Sequence, residues 1–181
     1  MGGRAASPDR CLRHAVFLDR DGTLNRDIGY AWRWKDFEWL PGALDALRLI
    51  GDSGLIAIIV TNQSGVARGL YREEDILELH RRMGEELRGL GISVPPLYYC
   101  PHHPDLTGPC GCRKPAPGML TRAAREHSLD LSRSFMVGDK ASDLGAGLAA
   151  GCRTILVRTG SGTGSGPPPP GVLETPDVLA A

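Results

Sequence analysis

No long apolar run is present. The longest in the 181 residues is Leu55 to Val60, far short of the ~20 residues a membrane helix needs. Net charge is absent as well, since 21 Lys and Arg balance 21 Asp and Glu. That balance argues against a strongly basic nucleic-acid binder and gives no warrant for attraction to a membrane surface. Aromatic residues make up only 6%, beside 41% hydrophobic and 23% charged residues. This is the composition of an ordinary globular chain, neither collagen-like nor wholly disordered. Residues Met1 to His14 are small, polar and basic and lack the apolar core of a signal peptide. The 5 cysteines, at 11, 100, 110, 112 and 152, are odd in number and clustered, unlike a secreted disulfide framework. The expected setting is therefore reducing and cytoplasmic, where clustered cysteines mean metal or catalysis.

The length predicts one domain. Ala15 to Leu18 reads as a buried strand delivering Asp19-Arg-Asp-Gly-Thr23 into a turn. A helix follows Pro41. Leu55 to Val60 is a second strand, apolar at every position, as when both sheet faces are covered. Glu73, Glu74 and Asp75 open a longer helix with Ile76, Leu79, Met83, Leu87 and Leu90 at helical spacing. Leu97 to Tyr99, Ser134 to Val137 and Thr154 to Val157 read as three more strands, with helices at about 117 to 127 and from Ser142 to Ala150. Alternating strands and helices predict an α/β, Rossmann-like parallel sheet with helices on both faces and no large cap domain. The expected organisation is an N-terminal extension over 1–14, the domain over 15–159, and a Gly/Pro-rich tail over 160–181.

In such a sheet, ligands bind beyond the carboxyl ends of the strands. Those ends carry Asp19 and Asp21, Thr61, and Asp139 with Asp143 one helical turn on, while Lys114 lies in the loop after the third strand. Crowded carboxylates call for a hard cation such as Mg²⁺. Carboxylates, a hydroxyl, a lysine and Mg²⁺ together suit phosphoryl transfer through an aspartyl phosphate, with a second carboxylate as general acid and base. Each motif alone has a blander reading: Asp-Gly after a strand is ordinary turn chemistry, and Asp143 also suits a helix N-terminus.

Asp19-Arg-Asp-Gly-Thr23, Thr61-Asn62, Lys114 and Gly138-Asp139 with Asp143 resemble, in order and spacing, the four motifs of the haloacid dehalogenase superfamily. Tyr98 to Pro104 followed by Cys110-Gly-Cys-Arg-Lys-Pro115 is similar to its zinc-bearing branch, which contains heptose-bisphosphate and histidinol-phosphate phosphatases. The resemblance implies Asp19 as nucleophile and Asp21 as general acid/base, with Thr61 and Lys114 gripping the phosphoryl group. It further implies Mg²⁺ on Asp19, the Asp21 carbonyl and Asp139, with Asp143 a candidate to support that metal's surroundings. Arg113 and Lys140 are implied as substrate-facing cations. Thr61-Asn-Gln-Ser-Gly-Val-Ala-Arg-Gly69 and Asp27-Ile-Gly-Tyr30 resemble the heptose-bisphosphate versions of the substrate loops, which makes Asp27, Ile28, Gly29, Tyr30, Asn62, Gln63 and Ser64 candidate contacts. The implied reaction is loss of the 7-phosphate from D-glycero-D-manno-heptose 1,7-bisphosphate. Histidinol phosphate is the alternative substrate.

Cys100, His102, Cys110 and Cys112 form a Cys3His set suited to a closed, structural Zn²⁺ site. Spacing alone also admits His103, or a disulfide-linked loop. Such a zinc would order the loop and aim Arg113 and Lys114. The expected partner is a small phosphorylated sugar, with no nucleic acid or membrane, for a monomer. Two competing classes are a zinc-stabilised phosphosugar-binding module without turnover and a phosphotransferase. The first is disfavoured by the retained Asp19 and Asp21 pair. Against the second, only 17 residues separate Thr23 from Pro41, too few for a large shielding cap.

Overall fold

A computed structural model describes residues 12–160 and 168–181. Six parallel strands form one sheet: β1 (Ala15–Leu18), β2 (Ile56–Asn62), β3 (Leu97–Cys100), β4 (Phe135–Gly138), β5 (Arg153–Val157) and β6 (Leu173–Thr175), in the order β3-β2-β1-β4-β5-β6. Connecting them are α1 (Ala43–Asp52), α2 (Glu73–Gly89), α3 (Pro104–Thr107), α4 (Gly118–His127) and α5 (Ala141–Ala150). The alternation of side chains along β1 divides the core. Val16 and Leu18 join a cluster with Ala46 and Leu47 of α1 and Ile76, Leu79, Met83 and Leu87 of α2. Ala15 and Phe17 join Met119, Leu120 and Ala123 of α4 and Ala146 of α5 on the other face. Both faces are therefore covered, as the apolar β2 required.

The strand order reverses direction beside β1, which lies between β2 and β4. Such a switch point opens a crevice at the carboxyl ends of the strands, and the backbone there is tightly tied. Asp19 N–H donates to the Val137 carbonyl at 3.0 Å, so the turns leaving β1 and β4 are neighbours. Gly22 has φ +95°, and a Cβ there would lie 2.4 Å from Asp139 Oδ2; only glycine lets the first turn fold over the second. Residues 24 to 40 leave and return beside each other, Arg26 N–H bonding the Glu38 carbonyl at 2.9 Å and Leu40 N–H bonding that of Leu24 at 2.9 Å. This short flap packs through Trp32 on Tyr71, ring centroids 5.9 Å apart, and through Trp39 Nε1–H on Glu86 of α2 at 2.6 Å.

Two expectations about the ends change. Arg13 N–H donates to Ser128 and the Arg13 carbonyl accepts from Asp130, so the fold begins before Ala15; residues 1–11 lie outside the described residues. The expected tail over 160–181 contains β6, which pairs with β5 from Ile155↔Leu173 to Val157↔Thr175, and Val178 is buried in the core. Arg158 holds Glu174 at 2.7 Å across this edge. A three-residue strand whose Leu173 faces outward has no readable alternation, which hid it among the Gly and Pro. Residues 161–167 of that stretch lie outside the described residues.

Candidate active site

Loops leaving β1, β2, β3 and β4 converge on a cavity of about 70 Å³. Asp19, Asp21, Thr61, Asn62, Lys114, Lys140 and Asp143 line it, with Asp27, Gly29 and Ser142. At its floor the buried Lys114 ammonium bridges two buried carboxylates, 2.6 Å from Asp19 Oδ1 and 2.7 Å from Asp143 Oδ1, and donates to the Val60 carbonyl at 2.8 Å. Asn62 fixes that lysine's backbone, accepting from Lys114 N–H and donating to its carbonyl, both at 3.1 Å. Asp143 Oδ2 also accepts from Lys140 N–H at 3.0 Å, closing the start of α5. Both readings of Asp143, helix terminus and site member, thus hold at once.

Burial, Asp143 and Asp139 push the Asp19 carboxyl above the ordinary aspartate value against the pull of Lys114 and Lys140. Lys114 is held above the ordinary lysine value because Asp143 and Asp19 outweigh the burial that opposes its charge. Asp19, Asp139 and Asp143 each offer an oxygen, all within 4.8 Å of one another. Three buried carboxylates share the Lys114 ammonium and, 4.0 Å from Asp139, that of Lys140, and their all-oxygen donor set fits a Mg²⁺-class cation.

Asp21 points its carboxylate toward a different set of partners. Arg20, fully buried, grips it through Nε at 3.2 Å and Nη2 at 2.9 and 2.8 Å; Asn25 Nδ2 and Gln63 Nε2 add bonds at 3.0 and 2.9 Å. Burial pushes this carboxyl up, but the Arg20 charge and these hydrogen bonds prevail and hold it below the ordinary aspartate value. Arg20 is itself anchored on the Ala31 carbonyl at 2.8 Å and on His80 Nε2 at 3.0 Å. That contact requires a neutral imidazole, and burial followed by the Arg20 charge keeps His80 well below its usual pKa.

Several expected substrate contacts are placed differently. Gln63 is 3% exposed, and its amide bonds only protein: Nε2–H to Asp21 and Thr61, with Oε1 accepting from Tyr71. It is not among the residues lining the cavity. Lys140 and Asp27 do line the cavity, where Lys140 is paired with Asp27 Oδ2 at 2.8 Å and reaches the Asp21 carbonyl at 3.3 Å, which also ties the 27–30 turn to α5. Gly29 reaches the cavity, while Ile28 and Tyr30, 47% and 41% exposed, stand outside its lining. Ser64 and Arg113 are half-buried and also outside that lining; Arg113 donates to the His102 carbonyl at 3.2 Å. Ser142, Arg20, Asn25, Tyr71 and His80 were not singled out from sequence, since nothing in a local pattern distinguishes them from turn and helix residues.

Beside the cavity, Cys100, Cys110 and Cys112 place their sulfurs 3.1 to 3.6 Å apart, beyond the ~2.05 Å of a disulfide. His102 Nδ1 lies 3.3 Å from Cys112 Sγ and 3.6 Å from Cys100 Sγ. Four donors so grouped fit a tetrahedral Zn²⁺, whose sulfurs would stand about 3.8 Å apart. His103 turns away to Arg68 and Asp105, which resolves the choice between the two histidines.

A haloacid dehalogenase-hydrolase-like family profile matches residues 111–170. The D-glycero-β-D-manno-heptose-1,7-bisphosphate 7-phosphatase of Yersinia pestis is 46% identical over 152 residues, 81% of each chain. The chain belongs to this phosphatase family. The Haemophilus influenzae member is 44% identical over 163 residues, 86% of this chain and 89% of that one. Among solved structures, the D,D-heptose 1,7-bisphosphate phosphatase of B. bronchiseptica, in complex with magnesium and phosphate, superposes with a TM-score of 0.85 at 36% identity, covering 92% of this chain and 94% of that one. Within the family's α/β fold, the four strand-end motifs of this phosphatase meet at one cavity, with the Cys3His loop on its flank. No helix among the described residues is long and apolar enough to cross a membrane.

Proposed function

We propose that the chain hydrolyses the 7-phosphate of D-glycero-D-manno-heptose 1,7-bisphosphate to leave the 1-phosphate. The observation that carries this reading is the convergence of Asp19, Asp21, Thr61 and Lys114 on one small cavity, in a chain 46% identical to a phosphatase named for that substrate.

In this reading Asp19 attacks phosphorus, forming an aspartyl phosphate as the sugar oxygen departs. Asp21, ionised in the free site by its Arg20 and Gln63 bonds, takes up the proton that arrives with a monoanionic phosphate ester and passes it to that oxygen, then takes a proton from the water that hydrolyses the acyl phosphate. General acid/base help of this kind contributes ~10²–10⁴ in rate. Lys114 and the Thr61 hydroxyl hold the phosphoryl oxygens. Thr61 Oγ1 already accepts from Gln63 Nε2 at 2.8 Å, so its own proton is available to phosphate. Asp19, the Asp21 carbonyl and Asp139 are the residues we assign to Mg²⁺, which when bound offsets charge on the phosphoryl oxygens. Zn²⁺ on Cys100, His102, Cys110 and Cys112 is assigned a structural role, fixing the loop whose next residues are Arg113 and Lys114. Arg113 is the cation we assign to the distal phosphate or a sugar oxygen. A phosphosugar substrate beside cysteines not joined in disulfides fits the cytoplasm.

The reading is tested by comparing kcat/KM for the heptose bisphosphate and for histidinol phosphate in Mg²⁺. The heptose substrate is expected to be preferred. A preference for histidinol phosphate would replace the substrate assignment, and absence of turnover with either would favour a binding module.

A further inference from the structure

Gln63 and Tyr71 are buried polar residues next to the reacting groups that the proposed chemistry leaves unused. Tyr71 O–H donates to Gln63 Oε1 at 2.8 Å. The opposite end of that amide donates to Asp21 Oδ2 at 2.9 Å and to Thr61 Oγ1 at 2.8 Å. A free glutamine amide can turn end for end; here the turned form would set its oxygen against the Asp21 carboxylate and its NH2 against a phenol proton. Tyr71, whose oxygen already faces the Gly65 backbone N–H, offers its proton to Gln63 and, together with the Asp21 carboxylate, selects the orientation in which Gln63 is a donor to Asp21. Burial holds the phenol up at about 12, so Tyr71 remains a donor at neutral pH.

The phenol is itself immobilised. Tyr71 is 6% exposed, stacks on Trp32 at an interplanar angle of 23°, and sits so close over Gly65 that a Cβ there would lie 2.2 Å from its ring. Arg20 grips the same carboxylate through both oxygens. Asp21 is thus held between a guanidinium on its own turn and an amide arm that begins at the segment entering α2.

We propose that Tyr71 and Gln63 are positioning residues that aim the Asp21 carboxyl at the departing sugar oxygen through the bonded chain Tyr71 Oη, Gln63 amide, Asp21 Oδ2. This rests on the reading of Asp21 as general acid. Its signature is dependence on the leaving group. An alkoxide from a sugar needs a proton as the P–O bond breaks, whereas p-nitrophenolate departs without one. The comparison uses kcat/KM, which stops at the first irreversible step and so excludes the later hydrolysis of the aspartyl phosphate.

The test measures kcat and KM of the full chain with the heptose bisphosphate and with p-nitrophenyl phosphate, for Tyr71→Phe, Gln63→Met and Asp21→Asn. Tyr71→Phe keeps the ring over Gly65 and against Trp32 while removing the proton. Its expected effect is a fall of about tenfold in the ratio of sugar to aryl kcat/KM, carried by kcat with KM within about twofold, on the scale of what misplaced catalytic groups lose. Gln63→Met should lower the ratio similarly, and combining the two should add little, because both act along one chain of bonds. Asp21→Asn should lower the ratio further. Equal losses on both substrates, or none on the sugar, in Tyr71→Phe and Gln63→Met would overturn the inference while a selective loss in Asp21→Asn left the acid intact. An unchanged ratio in Asp21→Asn would remove the acid itself, and the inference with it.

Discussion

Lys114→Met removes the one ammonium that stands between Asp19 and Asp143. At an effective dielectric constant of about 20, contacts of 2.6 and 2.7 Å each correspond to about 6 kcal/mol of attraction, set against a desolvation cost of several kcal/mol per ion. Methionine restores the volume; burial and Asp143, no longer opposed by the lysine, then make Asp19 take up a proton at neutral pH, and Asp143 is left as a buried carboxylate without its ammonium. The net expected loss in metal-free buffer is about 3–5 kcal/mol, the usual cost of breaking a buried ion pair from one side. Asp143→Asn should therefore change sign with background. In the native chain it weakens the lysine's anchoring and destabilises; in Lys114→Met it removes the buried carboxylate left without a cation and should return about 2–3 kcal/mol. Urea unfolding of the four proteins in EDTA measures this cycle. A Lys114→Met protein within 1 kcal/mol of native, or one made still weaker by Asp143→Asn, would refute the charge-balance argument.

Three further outcomes are expected. Elemental analysis should find one zinc per chain, lost in Cys112→Ser together with hydrogen-exchange protection of residues 100–114; native protection in zinc-free protein would remove the structural role. Arg113→Ala should raise KM for the bisphosphate but hardly change that for p-nitrophenyl phosphate, which has no second phosphate; equal effects on both would place Arg113 at the reacting phosphate instead. For His80, the folded pKa is depressed, so the unfolded chain takes up a proton as pH falls through about 6.5 while the buried imidazole does not. Stability from this group is complete above that pH and declines below it, so between pH 7.5 and 5.5 the native chain should lose about 1.4 kcal/mol more than His80→Gln, which keeps an acceptor for Arg20. Parallel losses in the two proteins would show that His80 is not held neutral.

Much of the architecture was legible because β1, β2, β4 and β5 are short apolar runs that end in chemistry-bearing turns, and burial on both faces permits nothing else. Asp19, Thr61, Lys114 and Asp139 were readable for the same reason: strand ends in a parallel sheet meet by topology. What was hidden depends on direction and distance. Gln63 follows Thr61 in a polar turn, and no local pattern says that its side chain points inward. The Lys140 pairing with Asp27 spans 113 residues, and the Arg20 contact with His80 spans 60. An arginine between two aspartates reads as a solvated turn residue until its two anchors are in place. The last strand, Leu173–Thr175, is an edge too short to show a period.

The central assignment is regiochemical, and ³¹P NMR of the heptose bisphosphate during turnover in Mg²⁺ tests it most directly. The account predicts that the 7-phosphate resonance disappears as inorganic phosphate grows, that the anomeric 1-phosphate persists, and that Asp19→Asn leaves both resonances unchanged. Release of the 1-phosphate first, or undiminished turnover by Asp19→Asn, would contradict it.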